Sequence, residues 1–454
     1  MLEYDCKPNS ANNLSNIGGN MKKISRITSI LLLLFVLMSL LTSCLWISPG
    51  NLTGNASDNN EYATKEEVRD LVEGIEENVT VNGGDNYNVE INSNGNQNLL
   101  AASKGLLSAV SVHCKFKVTT VSTPMFGQST SKTETIPTAG SGVIYQLDKN
   151  TGSAYIITNY HVVYYKGANT DNDISDDITV HLYGLEDEKY AINAEYIGGS
   201  MNYDIAVLEV KNSDVLRTSN AMAAEFADSN DVAILDTAIA IGNPEDFGLS
   251  ATVGAVNVES ENIVMTSVDG SAYISLRVIR TDAAVNGGNS GGGLFNDKGQ
   301  IIGIVNAKMS DSSIDNIGYA IPSNVAKYVA DNIIFYDKQD SKNDCVYRAL
   351  IGITVGVEAA GTNYDIETGK ITRYEKVRVE EVSAGGLSEG KLSVGDIIKS
   401  VSVDGVTYEV QRTFNVVDIM LTARKTSKVV INIERAGEAI AVEYDMSKAS
   451  LSAW

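Results

Sequence analysis

From Leu106 to Pro322 the sequence breaks into short runs rich in Val, Ile, Tyr and Thr, punctuated by clusters of Gly, Asn and Asp. AYIITN at 154–159, YDIAVLEV at 203–210, AILDTAIAI at 233–241, SLRVIR at 275–280 and IIGIVNA at 301–307 are examples. Many short strands separated by turn residues predict an all-β barrel or sandwich over this stretch. SNVAKYVADNII at 323–334 then reads as a helix capped by Ser323, with Val325, Val329 and Ile333 on one face, and a polar linker follows at 335–344. From about Ala349 the pattern is mixed. Strands are expected near 351–357, 376–382, 397–403 and 428–434, with helical patterns at 384–390 and 413–424, enough for one small further domain.

The chain has 454 residues, room for two or three domains, and its 43% hydrophobic content suits a globular core. Its formal charge is −22, with 57 acidic against 35 basic residues, so no cationic surplus exists to neutralise phosphates. Nucleic acid is excluded as a partner on that ground.

Lys22, Lys23 and Arg26 precede an apolar run from Ile30 to Leu41, the outline of a signal peptide. A membrane-spanning helix needs roughly 20 apolar residues, and this run is interrupted by Ser39 and ends at Thr42. Leu41-Thr42-Ser43-Cys44 resembles the lipobox of bacterial lipoproteins, which implies that Cys44 is acylated and becomes the first mature residue. Residues 45–100, rich in Asn, Gly, Ser and Asp, read as a tether. Within it Thr64 and Glu67 form a capping box, and Val68, Leu71, Val72 and Ile75 share a helical face. With Cys6 removed and Cys44 acylated, Cys114 and Cys345 remain, expected as free, partly buried thiols.

Asn286-Gly287-Gly288-Asn289-Ser290-Gly291-Gly292-Gly293 carries the strongest chemical signal. A nucleophilic serine needs a tight turn that exposes its hydroxyl and backbone N–H groups aimed at one point, and the glycines around Ser290 permit both. Serine also needs a base, and the chain holds only three histidines, His113, His161 and His181. His113 and His181 lie inside apparent strands, as surface or packing residues. His161 stands at the end of AYIITNY, where a strand gives way to a turn and a side chain can face a cleft. Asp204, at the head of the apolar strand IAVLEV, is the natural orienting carboxylate, because an acid among apolar neighbours needs a partner. Asp171, Asp173, Asp176 and Asp177 instead read as a solvated loop.

In that order ITNYHVV, NYDIAVLEV and TDAAVNGGNSGGGLFN resemble the HtrA/DegP-type (Deg) serine proteases, and GSGVIY at 140–145, IGNPEDFGLSATVGAVN at 241–257 and IGYAIPSN at 317–324 extend the likeness. The resemblance implies a mainly β fold: a chymotrypsin-like double β-barrel protease domain at 101–335, a linker at 336–348, and a small α+β PDZ domain at 349–454. These follow a signal peptide at 1–43 and a lipidated tether at 44–100. It implies His161 as general base, Asp204 as its orienting acid and Ser290 as nucleophile, with the N–H groups of Gly288 and Ser290 as oxyanion hole. Ala284 would floor the primary pocket and Val305, Asn306 and Ala307 would face it, favouring cleavage after small aliphatic residues.

Leu350-Ile351-Gly352-Ile353 resembles the carboxylate-binding loop of the family's PDZ domain, followed by SAGGLSEGKLSVGDIIKSVSVDG at 383–405. The expected product is an ATP-independent, extracytoplasmic, lipid-anchored endopeptidase that cleaves unfolded proteins and binds peptide C-termini. Resemblance further implies a homotrimer without metal or cofactor. The alternative is a protease-like chaperone or binding protein.

Overall fold

The computed structural model describes residues 97–122, 129–170, 172–307, 317–339, 345–367 and 369–453. The expected signal peptide, Cys44 and the helical face at Val68, Leu71, Val72 and Ile75 lie outside them. Among the described residues no helix is long and apolar enough to cross a membrane.

Helix α1 (Gln97–Ser108) leads into β1 (Ala109–Ser122), β2 (Thr130–Asp148) and β3 (Ser153–Thr158), then the one-turn helix α2 (Tyr160–Val163). β4 (Asp177–Leu182), β5 (Ile192–Ser200) and β6 (Ile205–Val210) complete a closed barrel of order β1-β2-β3-β6-β5-β4. After α3 (Asp214–Thr218) come β7 (Glu225–Phe226), β8 (Thr237–Gly242), β9 (Ser250–Thr266), β10 (Tyr273–Thr281), β11 (Gly293–Phe295), β12 (Gln300–Val305) and β13 (Gly318–Pro322). They form a second sheet, β11-β8-β9-β10-β13-β12-β7, which an added β11–β12 pairing closes into a ring.

The apolar run Ile205–Leu208 at the head of β6 follows from its place between two cores. Ala206 and Leu208 fill the first barrel, while Ile205 and Val207 face a larger cluster shared with Ile239, Ile241, Phe295 and Ile304. Side chains alternate along a strand, so over Ile205–Leu208 both faces of β6 are buried and both must be apolar. The second barrel has its own core of Ala238, Ile279, Leu294 and Val305. Loss of one such fully buried aliphatic side chain costs about 2–5 kcal/mol.

Helix α4 (Ser323–Asp337) runs three residues into the stretch expected as linker. Pro322, not Ser323, caps it; the Ser323 hydroxyl donates to the Ala227 carbonyl at 2.7 Å. Beyond it β14 (Tyr347–Leu350), β15 (Ile353–Tyr364), β16 (Ile371–Val382), β17 (Ile397–Val403) and β18 (Val406–Glu409) precede α5 (Thr413–Ile419). β19 (Lys428–Arg435), β20 (Glu438–Asp445) and β21 (Ser450–Ala453) end the chain's regular structure. The sheet order is β15-β16-β17-β19-β20, and β14 pairs with β21. Residues 384–390 form turns rather than the expected helix, because Gly385 and Gly390 sit at φ +77° and +74°, in the left-handed region. The expected helix at 413–424 closes at Ile419.

This last sheet is tied firmly to the second barrel. Asn332, fully buried on α4, donates to the Tyr347 and Leu421 carbonyls at 2.7 and 2.9 Å and accepts from the Tyr347 N–H at 2.9 Å. Arg277 of β10, 8% exposed, pairs with Asp418 of α5, and its guanidinium lies 4.0 Å from the Phe414 ring. Asp418→Ala leaves that cation buried without its anion, which should destabilise the protein by about 3–5 kcal/mol in chemical denaturation.

Cys114 and Cys345 are both free thiols. Cys114 lies in the core of the first barrel, where burial pushes its thiol up to about 12.

Candidate active site

His161, Asp204 and Ser290 come from three separate places and meet between the barrels. β3 ends at Thr158, and the next residues turn into α2, which carries His161. Asn159, fully buried at that corner, donates its side-chain amide to the Asp204 carbonyl at 2.8 Å. Asp204 itself adopts φ +48° immediately before β6, a left-handed conformation that a short polar side chain tolerates.

The Asp204 carboxylate is fully buried and receives three donors. The His161 backbone N–H reaches Oδ1 at 3.0 Å; the His161 Nδ1–H and the Asn306 amide reach Oδ2 at 2.7 and 2.6 Å. Such convergence compensates the cost of burying an acid. A carboxylate only accepts, so Nδ1 carries the imidazole proton and Nε2 is left as acceptor. The Ser290 hydroxyl lies 2.8 Å from Nε2 and also accepts from the Ala307 N–H at 3.2 Å. The hydroxyl proton is therefore directed at the ring, and a line of hydrogen bonds runs Asp204, His161, Ser290.

Ser290 is presented by a turn that two glycines make feasible. Gly288 sits at φ +92°, where a Cβ would fall 2.2 Å from the Asn243 carbonyl oxygen. Gly291 sits at φ +85°, with the Ser141 carbonyl oxygen 2.1 Å from such a Cβ. The Ser141 N–H holds the Ser290 carbonyl at 2.8 Å, and the Ser141 hydroxyl donates to the Gly288 carbonyl at 2.7 Å. The Glu245 N–H holds the Gly287 carbonyl at 2.9 Å. In a planar trans peptide the N–H opposes the C=O, so Gly288 N–H points away from Glu245.

The other residues singled out in the sequence fall as follows. Ala284 is exposed, with its carbonyl accepting from the Thr252 hydroxyl at 2.9 Å. Val305 packs in the core of the second barrel, and the Asn306 amide is committed to Asp204, so of the facing strand Ala307 stands next to Ser290. Leu350–Ile353 lies where β14 passes into the edge strand β15, with Gly352 at φ +76°. His113 and His181 lie apart from this line, with ring centroids 5.0 Å from each other. Sequence reasoning missed the roles of Asn159, Ser141 and Asn306. A buried polar residue inside an apolar run, as Asn306 is in IIGIVNA, was the available signal, because it must find a partner.

Comparison with known proteins adds an independent line. Residues 140–304 match the trypsin-like peptidase domain family. The chain is 36% identical over 284 residues to the serine protease Do-like HtrA of Bacillus subtilis, covering 60% of this chain and 57% of that protein. Serine protease Do-like HtrA of Lactococcus lactis subsp. cremoris is 29% identical over 383 residues, 80% of this chain and 83% of that one. Periplasmic serine endoprotease DegP of Escherichia coli is 29% identical over 317 residues, 68% and 57% respectively. The chain thus spans little more than half the length of two of these relatives. Together the matches support the HtrA/DegP-type family of trypsin-like serine proteases.

Proposed function

We propose that this chain is an ATP-independent serine endopeptidase that cleaves unfolded proteins outside the cytoplasm. The observation that carries the reading is the unbroken Asp204–His161–Ser290 hydrogen-bond line, at 2.7 and 2.8 Å. In the proposed reaction Ser290 Oγ attacks the scissile carbonyl carbon as His161 Nε2 takes its proton. Asp204 stabilises the imidazolium that forms. The N–H groups of Gly288 and Ser290 receive the tetrahedral oxyanion, a contribution worth roughly 10²–10³ in kcat for a single donor. The C–N bond then breaks as His161 returns the proton to the leaving amine. Water, activated by the same ring, hydrolyses the acyl-enzyme and restores Ser290.

Further parts of the reading rest on sequence resemblance. Cys44 would be acylated, holding residues 44–100 as a tether between membrane and protease, and the chain would act as a homotrimer. The periplasmic relative is consistent with an extracytoplasmic site of action. The third domain, at 349–454, would work as a PDZ domain in which Leu350, Ile351, Gly352 and Ile353 take a peptide C-terminus and the peptide pairs with the edge strand β15.

Resemblance puts Ala284 at the floor of the primary pocket and Ala307 stands beside Ser290; both side chains are methyl groups, so the proposed pocket is apolar. A methylene more or less there changes discrimination by about 1–3 kcal/mol, whereas an unpaired charge is rejected more firmly. Digestion of a reduced, unfolded protein should give products ending in Val, Ala, Ile or Leu. No cleavage by the folded protein would overturn the protease reading in favour of a binding protein, and predominant cleavage after Lys or Arg would overturn the pocket.

A further inference from the structure

One short turn, Asn243–Gly248 between β8 and β9, holds the Gly287 carbonyl directly and the Gly288 carbonyl through Ser141. The Glu245 N–H donates to the Gly287 carbonyl at 2.9 Å. The Asn243 N–H donates at 2.8 Å to the Ser141 hydroxyl, which donates in turn to the Gly288 carbonyl at 2.7 Å. Release of the first bond would free the Gly287–Gly288 peptide to rotate and carry the Gly288 N–H away from its present direction.

That turn is an unfavourable one for its sequence. Glu245 and Asp246 adopt φ +52° and +61°, left-handed values for non-glycine residues, and the Phe247 side chain is 89% exposed and adds no buried packing. A conformation of this kind persists when its surroundings hold it. Asp246 Oδ1 accepts from the Asn243 side-chain amide at 3.0 Å, within the turn, and from His113 Nε2 at 2.8 Å. Among the described residues His113 is the hydrogen-bond partner of that carboxylate that comes from outside the turn. It stands on β1, so a strand of the first barrel anchors a turn of the second.

We infer that His113 and Asp246 form a positioning pair that holds the Asn243–Gly248 turn, and through it the Gly288 N–H, in the orientation the oxyanion requires. This rests on the protease reading above. Besides Asp246, His113 faces the His181 ring edge-on, and Glu188 acts electrostatically on His181. Burial and the neighbouring His113 hold His181 below the ordinary histidine value. Burial alone would raise the Asp246 carboxyl, but the bonds from Asn243 and His113 hold it below the usual carboxylate range. It stays an acceptor for the His113 N–H.

An interaction that orients an oxyanion donor acts in the transition state more than on bound substrate, so its loss lowers kcat with KM retained. The test compares His113→Phe, which keeps a ring beside His181, Asp246→Ala, the double variant and His113→Gln, which restores an N–H donor. Each is measured for kcat and KM on a peptide substrate, for inhibition by a peptide boronate, and for thermal unfolding. Each single variant should lose about tenfold in kcat and in boronate affinity at little-changed KM, less than the roughly 10²–10³ of outright donor removal. The double variant should be no worse than the singles, as coupled partners require, and His113→Gln should recover most activity. Unchanged kcat in the single variants of an active wild type would overturn the pairing alone, as would additive losses or losses that track melting temperature. A wild type without turnover would overturn the protease reading and this inference with it.

Discussion

Ser290→Ala should reduce casein hydrolysis to background while leaving the fold and melting behaviour close to those of the parent. The hydroxyl is the group His161 is placed to deprotonate, and no second hydroxyl is bonded to its Nε2 among the described residues. The residual acceleration left after loss of a triad member, roughly 10³–10⁴ over water, is invisible in such an assay because uncatalysed peptide hydrolysis is so slow. Structurally the change is small. Ser290 gives up its bond to the ring and the one it accepts from the Ala307 N–H at 3.2 Å, each worth about 1 kcal/mol net. Casein cleavage at the parental rate by the purified variant would remove Ser290 from the mechanism.

Asp204→Asn should be nearly as damaging although it adds and removes almost no volume. The carboxylate accepts from three donors, and an amide has one oxygen to offer. With the new N–H₂ in the Oδ2 position, it meets the Asn306 amide and His161 Nδ1, forcing the imidazole into the tautomer that carries its proton on Nε2. That ring cannot accept from Ser290. With the N–H₂ in the Oδ1 position, it meets the His161 backbone N–H, and the imidazolium loses its neighbouring negative charge. Loss of about 10⁴ in kcat is the magnitude for this substitution in a Ser-His-Asp triad. Steady-state kinetics of the purified variant check the argument, and parental kcat at neutral pH would refute it.

The parts of the molecule legible in the sequence were those governed by short-range pattern or by scarce residues. Three histidines, one glycine-rich serine turn and one acid heading an apolar strand narrowed the site to His161, Ser290 and Asp204, which the fold brings within hydrogen-bonding distance. The punctuated strands showed an all-β barrel or sandwich, the double barrel came only with the family resemblance, and the apolar head of β6 reflects its place between two cores. Residues 384–390 misled, since the apparent helical period ran across Gly385 and Gly390, whose left-handed backbone breaks it. Asn306 was placed at the pocket wall by resemblance, and no local pattern shows which distant carboxylate its amide meets. The turn at Asn243–Gly248 was harder still. Its left-handed Asp246 is bonded by His113, from a strand far away in sequence, and no local preference records such a bond.

The most direct test of the account is to treat the purified protein with a fluorophosphonate, which phosphonylates a serine activated by a neighbouring base with loss of fluoride, and to map the adduct by peptide mass spectrometry. A single adduct at Ser290, absent from His161→Ala and lost on denaturation before labelling, is the predicted result. No adduct on the native protein, or an adduct on another serine with Ser290 unmodified, would contradict the assignment of the Asp204–His161–Ser290 line as a catalytic centre.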